Sequence, residues 1–341
     1  MNFILTIDTE ADNQWDHGRE LTVENIKYVP RFQQLCNRYF IKPTYLVTSE
    51  VCEDGFSRDL FSDYIDNDLA EIGAHLHSWT TPPYLDKDGL RYNDINHAYA
   101  NELPHDLLAN KLRYLTDQIG TSFGKRPSSF RSGRYGFNEN VARFLIANEY
   151  LVDSSVTPYV SWASHKGMPG NNGGPDFMNE RPFPYRINID DKSLLEIPVT
   201  IMPTKFPLNI DNHISKNYFK HVNSSMVLKY MRRLFFRHQP LWLRPYPWMD
   251  LDLLEDIINE ADRIKLPYLV MIFHSSELMP ESSIYRTDKD AIEKLFGLLE
   301  RFFIMINYKK IASITLTEAG MKYNPLVSEK SDIAQKALYK D

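Results

Sequence analysis

The apolar run from Leu266 to Phe273, which ends directly at His274, most limits the folds open to this chain. Its residues are apolar at successive positions, a pattern typical of a strand buried on both faces in a parallel sheet covered by helices. In such sheets the carboxyl ends of the strands carry the chemistry. His274 therefore stands where a histidine is suited to proton transfer.

Strands and helices alternate along the rest of the chain. Phe3–Ile7 and Thr44–Thr48 are predicted strands, a third begins at Glu71, and helices are predicted over Ile26–Phe40 and Asp59–Leu69. This order predicts an α/β fold with a wound parallel sheet. Further helices are predicted over 107–119, 138–147, 226–237, 253–264 and 288–306, and further strands over 128–131, 150–156, 194–199 and 312–316.

Two histidines alternate with apolar residues in the segment from Glu71 to Trp79. In an extended backbone His75 and His77 leave the same face. Neutral imidazole is the commonest protein ligand for zinc, and a carboxylate and water complete a tetrahedral site. The pattern therefore indicates a metal site, with local hydrogen bonding at a strand end as the alternative.

Acidic and basic side chains follow three other predicted strands. Asp8 and Glu10 come directly after the first strand and can share a face. A solvated acidic turn or a helix N-cap is the alternative for this pair. Arg131 follows an apolar strand residue and can orient a carboxylate, whereas Arg134, in the glycine-containing loop beyond it, can equally be a surface charge. Asp153 lies at the end of a later strand.

The length of 341 residues fits one large α/β domain with insertions better than two domains. We predict a single domain over 1–323, with loop insertions at about 80–105 and 157–190, and a peripheral tail over 324–341. The second loop is expected to be a lid or substrate-binding segment. The basic, aromatic helix over 226–237 can contact an anionic or lipid-linked substrate, or can simply pack on the core.

Composition excludes several classes of protein. A net charge of −6 argues against a nucleic-acid-binding surface. The two cysteines, Cys36 and Cys52, form neither a disulfide framework nor a thiolate metal motif. The first residues lack the pattern of a signal peptide, and no apolar run is long enough to span a bilayer. We therefore expect a cytoplasmic protein without a transmembrane segment.

Five segments, taken in order, resemble the motifs of the polysaccharide deacetylase family, also called carbohydrate esterase family four. They are Thr6–Glu10, Glu71–His75, Phe130–Gly136, Asp153 and Ile272–Ser275. The resemblance extends from Ile4 to about Ala319. It implies the fold of that family, a distorted (β/α) barrel with fewer regular strands than the usual eight.

The resemblance also implies a metal site. Glu10 corresponds to the acidic ligand and His75 to the first histidine ligand, while the position of the second histidine is occupied here by Trp79. His77 is the nearest substitute, so Glu10, His75 and His77 are the expected ligands of a divalent ion, which we expect to be zinc. Trp79 is left as a candidate substrate contact.

The same resemblance implies catalytic roles for the remaining motif residues. Asp8 corresponds to the general base, Arg131 to the arginine that orients it, and His274 to the general acid. A backbone N–H near Arg134 or Tyr135 is expected to bind the oxyanion. A separate acid, Asp153 or Glu277, is expected to hold His274 in its charged form.

The implied activity is metal-dependent removal of an N-acetyl group from an amino sugar. The elements G-A-H-L-H and T-P-P resemble a divergent branch linked to cell-surface polysaccharide or lipopolysaccharide biosynthesis. The substrate would then be an amino-sugar-containing glycan, a glycolipid or a nucleotide sugar. The alternatives are a related hydrolase (a deformylase, cyclic amidase or O-deacetylase) and a non-catalytic carbohydrate-binding relative.

Overall fold

The first strand lies inside a parallel sheet. In the computed structural model, which describes residues 1–12, 14, 20–85, 92–93, 98–203 and 240–323, β1 (Asn2–Thr9) pairs with β2 (Pro43–Val47) on one side. On its other side it pairs with β10 (Tyr268–His274), and the register sets Asp8 opposite His274. Residues 3–9 of β1 are buried, as are residues 268–273 of β10, because helices and neighbouring strands cover both faces.

The main sheet has the order β10-β1-β2-β3-β4-β5-β7-β6, and β11 also pairs with β1. All of its pairings are parallel except that of β6 with β7. A separate antiparallel pair joins β8 and β9. The other strands are β3 (Glu71–Leu76), β4 (Ser129–Ser132), β5 (Val152–Asp153), β6 (Tyr185–Ile189), β7 (Lys192–Glu196), β8 (Ile201–Pro203), β9 (Pro240–Trp242) and β11 (Ala312–Ser313).

The sheet is strongly curled. Strands β1 and β4 are three positions apart, which in a flat sheet would separate them by about 14 Å. Nevertheless Nη1 of Arg131 on β4 lies 2.7 Å from Oδ1 of Asp8 on β1. The sheet therefore forms a half-barrel whose concave side brings non-adjacent strands together. The expected distorted (β/α) barrel is confirmed.

Helices pack around the sheet through their apolar faces. Phe302 in the last long helix, for example, meets Phe3 of β1 edge to face at a ring-centroid distance of 5.5 Å. Asp288, which was predicted to open that helix, caps it by accepting a hydrogen bond from the backbone N–H of Ala291. The helices are α1 (Val29–Arg38), α2 (Ser49–Glu53), α3 (Gly55–Asp66), α4 (His105–Phe123), α5 (Glu139–Ala147), α6 (Leu251–Arg263), α7 (Lys289–Tyr308) and α8 (Leu316–Lys322).

Several boundaries differ from the sequence-based prediction. Helix α3 begins before Asp59, because Asp54 accepts a hydrogen bond from the backbone N–H of Ser57 and caps it there. Strand β5 has only two residues, and β6 lies inside a segment that we predicted to be loop. The predicted helix over 226–237 and tail over 324–341 lie outside the described residues. Among the described helices, none combines the length and apolarity that crossing a bilayer requires.

Candidate metal and active site

A pocket of about 500 Å³ opens at the carboxyl ends of β1, β3, β4 and β10. Its floor carries the acids and imidazoles that the sequence singled out, because the curl of the sheet gathers these strand ends on one side. Its upper wall is aromatic. The floor residues are Asp8, Glu10, His75, His77 and His274, and the aromatic residues are Trp79, Tyr99, Tyr135, Trp162, Trp242, Tyr246 and Tyr285.

Three of the floor residues have the arrangement of a metal site. One ligand atom from each of Glu10, His75 and His77 lies within 4.8 Å of the other two, and all three side chains are buried. Oε2 of Glu10 is 3.1 Å from Nε2 of His77 and 3.8 Å from Nε2 of His75. One carboxylate and two imidazoles on one side of a pocket match the donor set of catalytic zinc sites.

The hydrogen bonding of His75 prepares it to be a ligand. Its Nδ1 lies 2.9 Å from the backbone carbonyl oxygen of Arg131, which can only accept, so Nδ1 carries the proton. The lone pair of Nε2 is then directed toward Glu10, as in metal sites where the second ring nitrogen fixes the tautomer. Burial lowers the pKa of His75 to about 4, so the ring is neutral at physiological pH.

His77, and not the residue at position 79, supplies the second imidazole. The ring of Trp79 stacks on the ring of His77, with centroids 4.3 Å apart and planes 21° apart. Gly133 lies close to both rings, because a methyl group placed there would lie 2.7 Å from Cδ2 of His77 and 3.3 Å from Cη2 of Trp79. His77 is therefore packed against an indole and a glycine backbone, and Trp79 lines the pocket beside it.

Asp8 and Arg131 form a buried ion pair beside these three residues. Nη1 of Arg131 donates to Oδ1 of Asp8 at 2.7 Å and to the hydroxyl of Thr6 at 2.9 Å. The other side of the guanidinium donates to the carbonyl and hydroxyl of Ser154. Burial opposes ionisation of Asp8, but the charge of Arg131 outweighs it with help from nearby imidazoles and lowers the pKa of Asp8 to about 2.

His274 faces Asp8 with one nitrogen and two charged residues with the other. Its Nε2 lies 3.9 Å from Oδ2 of Asp8. Its Nδ1 lies 2.9 Å from Nη2 of Arg244 and 3.5 Å from Oε1 of Glu277. Arg244 was not recognised from the sequence, because the segment Arg244-Pro-Tyr-Pro has no strand or motif pattern that marks a strand end.

The two acids named as partners of His274 lie in different places. Glu277 is close to His274 and accepts a hydrogen bond from its backbone N–H at 3.2 Å. Asp153 instead accepts a hydrogen bond from the hydroxyl of Ser155 at 2.7 Å and interacts with Glu196, which is on the neighbouring strand. Burial raises the pKa of Asp153.

Arg134 and Tyr135 form a turn at the end of β4 with an unusual backbone. Their φ angles are 53° and 60°, in the left-handed region that side chains other than glycine seldom adopt. Such strain is concentrated at functional sites. The side chain of Arg134 donates to the hydroxyl of Tyr99 at 3.0 Å and the carbonyl of Lys166 at 2.6 Å. Arg134 thus joins the pocket wall to the loop over 157–190.

Comparisons with known proteins bear on the fold. No family model matches the chain, and no curated protein sequence matches it either. The 4-alpha-glucanotransferase of Thermococcus litoralis is 13% identical, with a TM-score of 0.52 over 95% of this chain and 39% of that one. This chain therefore spans well under half of that enzyme.

Two further structures are described as polysaccharide deacetylases. The one from Mycobacterium smegmatis is 12% identical, with a TM-score of 0.46, covering 92% of this chain and 94% of that one. The one from Pseudomonas aeruginosa PAO1 is 13% identical, with a TM-score of 0.47, covering 94% and 89%. At identities of 12% and 13% these similarities say nothing about the chemistry of this chain.

Proposed function

We propose that this protein is a metal-dependent hydrolase that removes an N-acetyl group from an amino sugar. The observation that carries the proposal is the position of the Glu10, His75 and His77 cluster beside the ion pair of Asp8 and Arg131. The first group offers the ligands of a metal, and the second offers an ionised carboxylate held in a fixed orientation. Metal-assisted amide hydrolysis uses both functions.

Glu10, His75 and His77 would hold a divalent ion, of the zinc type given one carboxylate and two imidazoles. When bound there, such an ion supplies Lewis-acid polarisation of the amide carbonyl and of water. Burial raises the pKa of Glu10. The raised pKa means that burial makes the ionised form of Glu10 unfavourable. A cation bound beside the carboxylate would offset this unfavourable free energy, which supports Glu10 as a charged ligand.

Asp8 would accept the proton of the attacking water. Its low pKa keeps it ionised, and the hydrogen bond from Arg131 fixes Oδ1 while Oδ2 faces His274. The departing amine also needs a proton. Two groups can supply it: Asp8, after it has accepted the proton of water, and His274.

The aromatic wall supports a carbohydrate substrate. Trp162 stacks on Tyr135 with centroids 5.2 Å apart, and both line the pocket. Flat aromatic faces bind the apolar face of a sugar ring while polar groups around it bind the hydroxyls. We infer a glycan, glycolipid or nucleotide sugar of cell-surface polysaccharide biosynthesis as the substrate class. The cytoplasmic location and the single domain over 1–323 stay predictions.

Two measurements test this proposal. Metal analysis of the purified protein should find about one tightly bound equivalent, and His75→Ala should abolish both metal binding and turnover. A screen of N-acetylated amino sugars should release acetate. Release of formate, opening of a cyclic amide or cleavage of O-acetyl esters alone would instead identify one of the related hydrolases. Absence of bound metal after incubation with zinc would favour the non-catalytic carbohydrate-binding relative.

A further inference from the structure

Arg244 contacts the nitrogen of His274 that faces away from the pocket floor. Nη2 of Arg244 lies 2.9 Å from Nδ1 of His274 and 2.7 Å from Oε1 of Glu277. Both Arg244 and Glu277 are buried. Arg244 follows β9, whereas His274 ends β10 and Glu277 lies in the 3-10 turn Ser275–Leu278, so three segments meet at this nitrogen.

The chemistry of the guanidinium decides the tautomer of the imidazole. A guanidinium has five N–H donors and no acceptor, so Nδ1 of His274 must accept the hydrogen bond from Arg244. A neutral imidazole that accepts through Nδ1 carries its proton on Nε2. Nε2 is the atom that faces Asp8 and the pocket.

The packing around Arg244 leaves it little freedom to turn away. Its guanidinium contacts two neighbouring rings, 4.9 Å from the centroid of Tyr246 and 4.8 Å from that of Tyr285. Arg286 donates to the carbonyl of Pro245 and thereby fixes the backbone next to Arg244. Cation–π contacts are strongest where the arginine is desolvated, as it is here. Together with the Glu277 ion pair they hold Nη2 against Nδ1.

These contacts favour Nδ1 of His274 as an acceptor over Nδ1 as a donor. A second ring proton would sit on Nδ1 and point at an N–H group of Arg244 2.9 Å away. Glu277 could accept that proton only from 3.5 Å, and its nearer contacts are Arg244 and the backbone N–H of His274. On the side of the ring that carries Nε2, the nearest carboxylate is that of Asp8, which is already paired with Arg131.

We propose that Arg244 is a positioning residue that keeps the proton of His274 on Nε2, so that His274 donates a hydrogen bond and Asp8 alone transfers the proton. This rests on the proposed hydrolysis. An O–H bond of water breaks and its proton moves to Asp8, while the oxygen bonds to the carbonyl carbon. The C–N bond then breaks, the proton passes from Asp8 to the amine, and Asp8 returns to its ionised form.

Nitrogen NMR of the metal-loaded, 15N-labelled protein tests the tautomer without any substrate. The His274→Gln variant identifies the signals of His274 by their loss. At neutral pH we expect Nδ1 to give the signal of an unprotonated acceptor and Nε2 that of a protonated nitrogen. A protonated Nδ1 in the unsubstituted protein would overturn the proposal.

Variants of Arg244 show whether this residue sets the tautomer. Arg244→Lys keeps a cation that can donate to Nδ1, so the 15N signal of Nδ1 should stay that of an unprotonated acceptor. In Arg244→Met this signal should shift toward that of a protonated Nδ1. Arg38→Met is the control, because Arg38 pairs with Glu300 at 3.1 Å on the exposed surface, and its loss should leave the signal unchanged. An unchanged signal in a folded Arg244→Met protein would contradict the assignment.

Turnover by two His274 variants tests the role of the hydrogen bond. Glutamine can place an N–H near the position of Nε2 but cannot act as an acid. We expect His274→Gln to stay within about tenfold of the unsubstituted enzyme and His274→Ala to lose 10²- to 10³-fold, as for loss of one catalytic donor. Equal loss in both would make His274 a proton donor and reject the proposal. If no amide substrate is turned over, the proposed function fails while the NMR result still stands.

Discussion

Oδ1 of Asp8 accepts a hydrogen bond of 2.7 Å from Nη1 of Arg131, although their strands are three positions apart in the sheet. This contact keeps the pKa of Asp8 near 2 despite burial. In Arg131→Met the buried carboxyl loses its cation, so its pKa should rise by about 1 to 3 units. The acid limb of the pH profile of kcat/KM should move upward by the same amount, and any loss of activity at neutral pH would come from the lost orientation of Asp8.

The control for this prediction is Arg126→Met. Arg126 forms a comparable 2.8 Å ion pair with Asp117, but on the exposed surface. Loss of this ion pair should leave the pH profile of kcat/KM unchanged, because ion pairs on the exposed surface contribute little free energy. An unshifted acid limb in Arg131→Met would mean that Asp8 is not the group whose ionisation limits turnover.

Gly133 can be used to test His77 without altering any candidate ligand. A methyl group at this position would lie 2.7 Å from both Cδ2 of His77 and the backbone oxygen of Leu76, so the imidazole has to move. We expect Gly133→Ala to weaken zinc binding about 10- to 100-fold, as measured by competition with a chelator. Gly297→Ala on the exposed face of α7, where nothing lies within 4 Å, is the control. Unchanged affinity in Gly133→Ala would indicate that His77 is not a ligand.

The buried acids Asp153 and Glu196 predict a dependence of stability on pH. Burial, followed by the charge of Asp153, raises the pKa of Glu196 well above its ordinary value of 4.5. Glu196 therefore keeps its proton in the folded state while the unfolded chain releases it. Above pH 4.5 the free energy of unfolding should fall as pH rises, on the order of 1 kcal/mol per pH unit up to the folded pKa.

Glu196→Gln should flatten this dependence, because glutamine retains an N–H donor for Asp153 and binds no proton. Urea unfolding at pH 6 and pH 9 gives the two slopes. The raised pKa of Glu10 contributes in the same direction to both proteins, so the difference between them reports the Asp153–Glu196 pair. Parallel slopes would contradict a protonated Glu196.

Trp162 tests the aromatic wall of the pocket. It stacks on Tyr135 and lines the pocket, so Trp162→Ala should raise KM roughly tenfold, about 1 to 2 kcal/mol, with a smaller change in kcat. Trp248, which is 57% exposed and stacks only on Tyr246 among the ring contacts described, provides the control. A larger loss in kcat than in binding would argue that Trp162 positions the reacting groups instead of the sugar.

The sequence was sufficient for the parts of the site that follow directly from strand ends. The apolar run before His274 and the alternation at His75 and His77 predicted side chains at the carboxyl edge of a parallel sheet, and the structure brings them to one pocket. That Asp8 lies opposite His274 could not be derived, because a register between segments 266 residues apart depends on the packing of everything between them.

The sequence contains no local pattern that predicts the positions of Arg244 and Asp153. Arg244 lies in a proline-rich segment without periodicity, and its role arises from contacts with His274, Tyr246 and Tyr285. Asp153 was expected near His274 as one of two candidates, but the shortness of β5 and the pairing with β7 set it beside Glu196. Charge and position in the chain do not reveal which acid lies near His274, because that depends on which strands are neighbours in the sheet.

The pairing of β1 with β10 has a consequence for the synthesis of this chain. All three candidate ligands are translated by residue 77, whereas β10, which covers one edge of β1, is translated much later. Until then β1 offers an unsatisfied edge of backbone amides and carbonyls, and such edges recruit foreign strands. The nascent protein is therefore prone to aggregate until β10 pairs with β1. Parallel strands pair slowly, which lengthens this period.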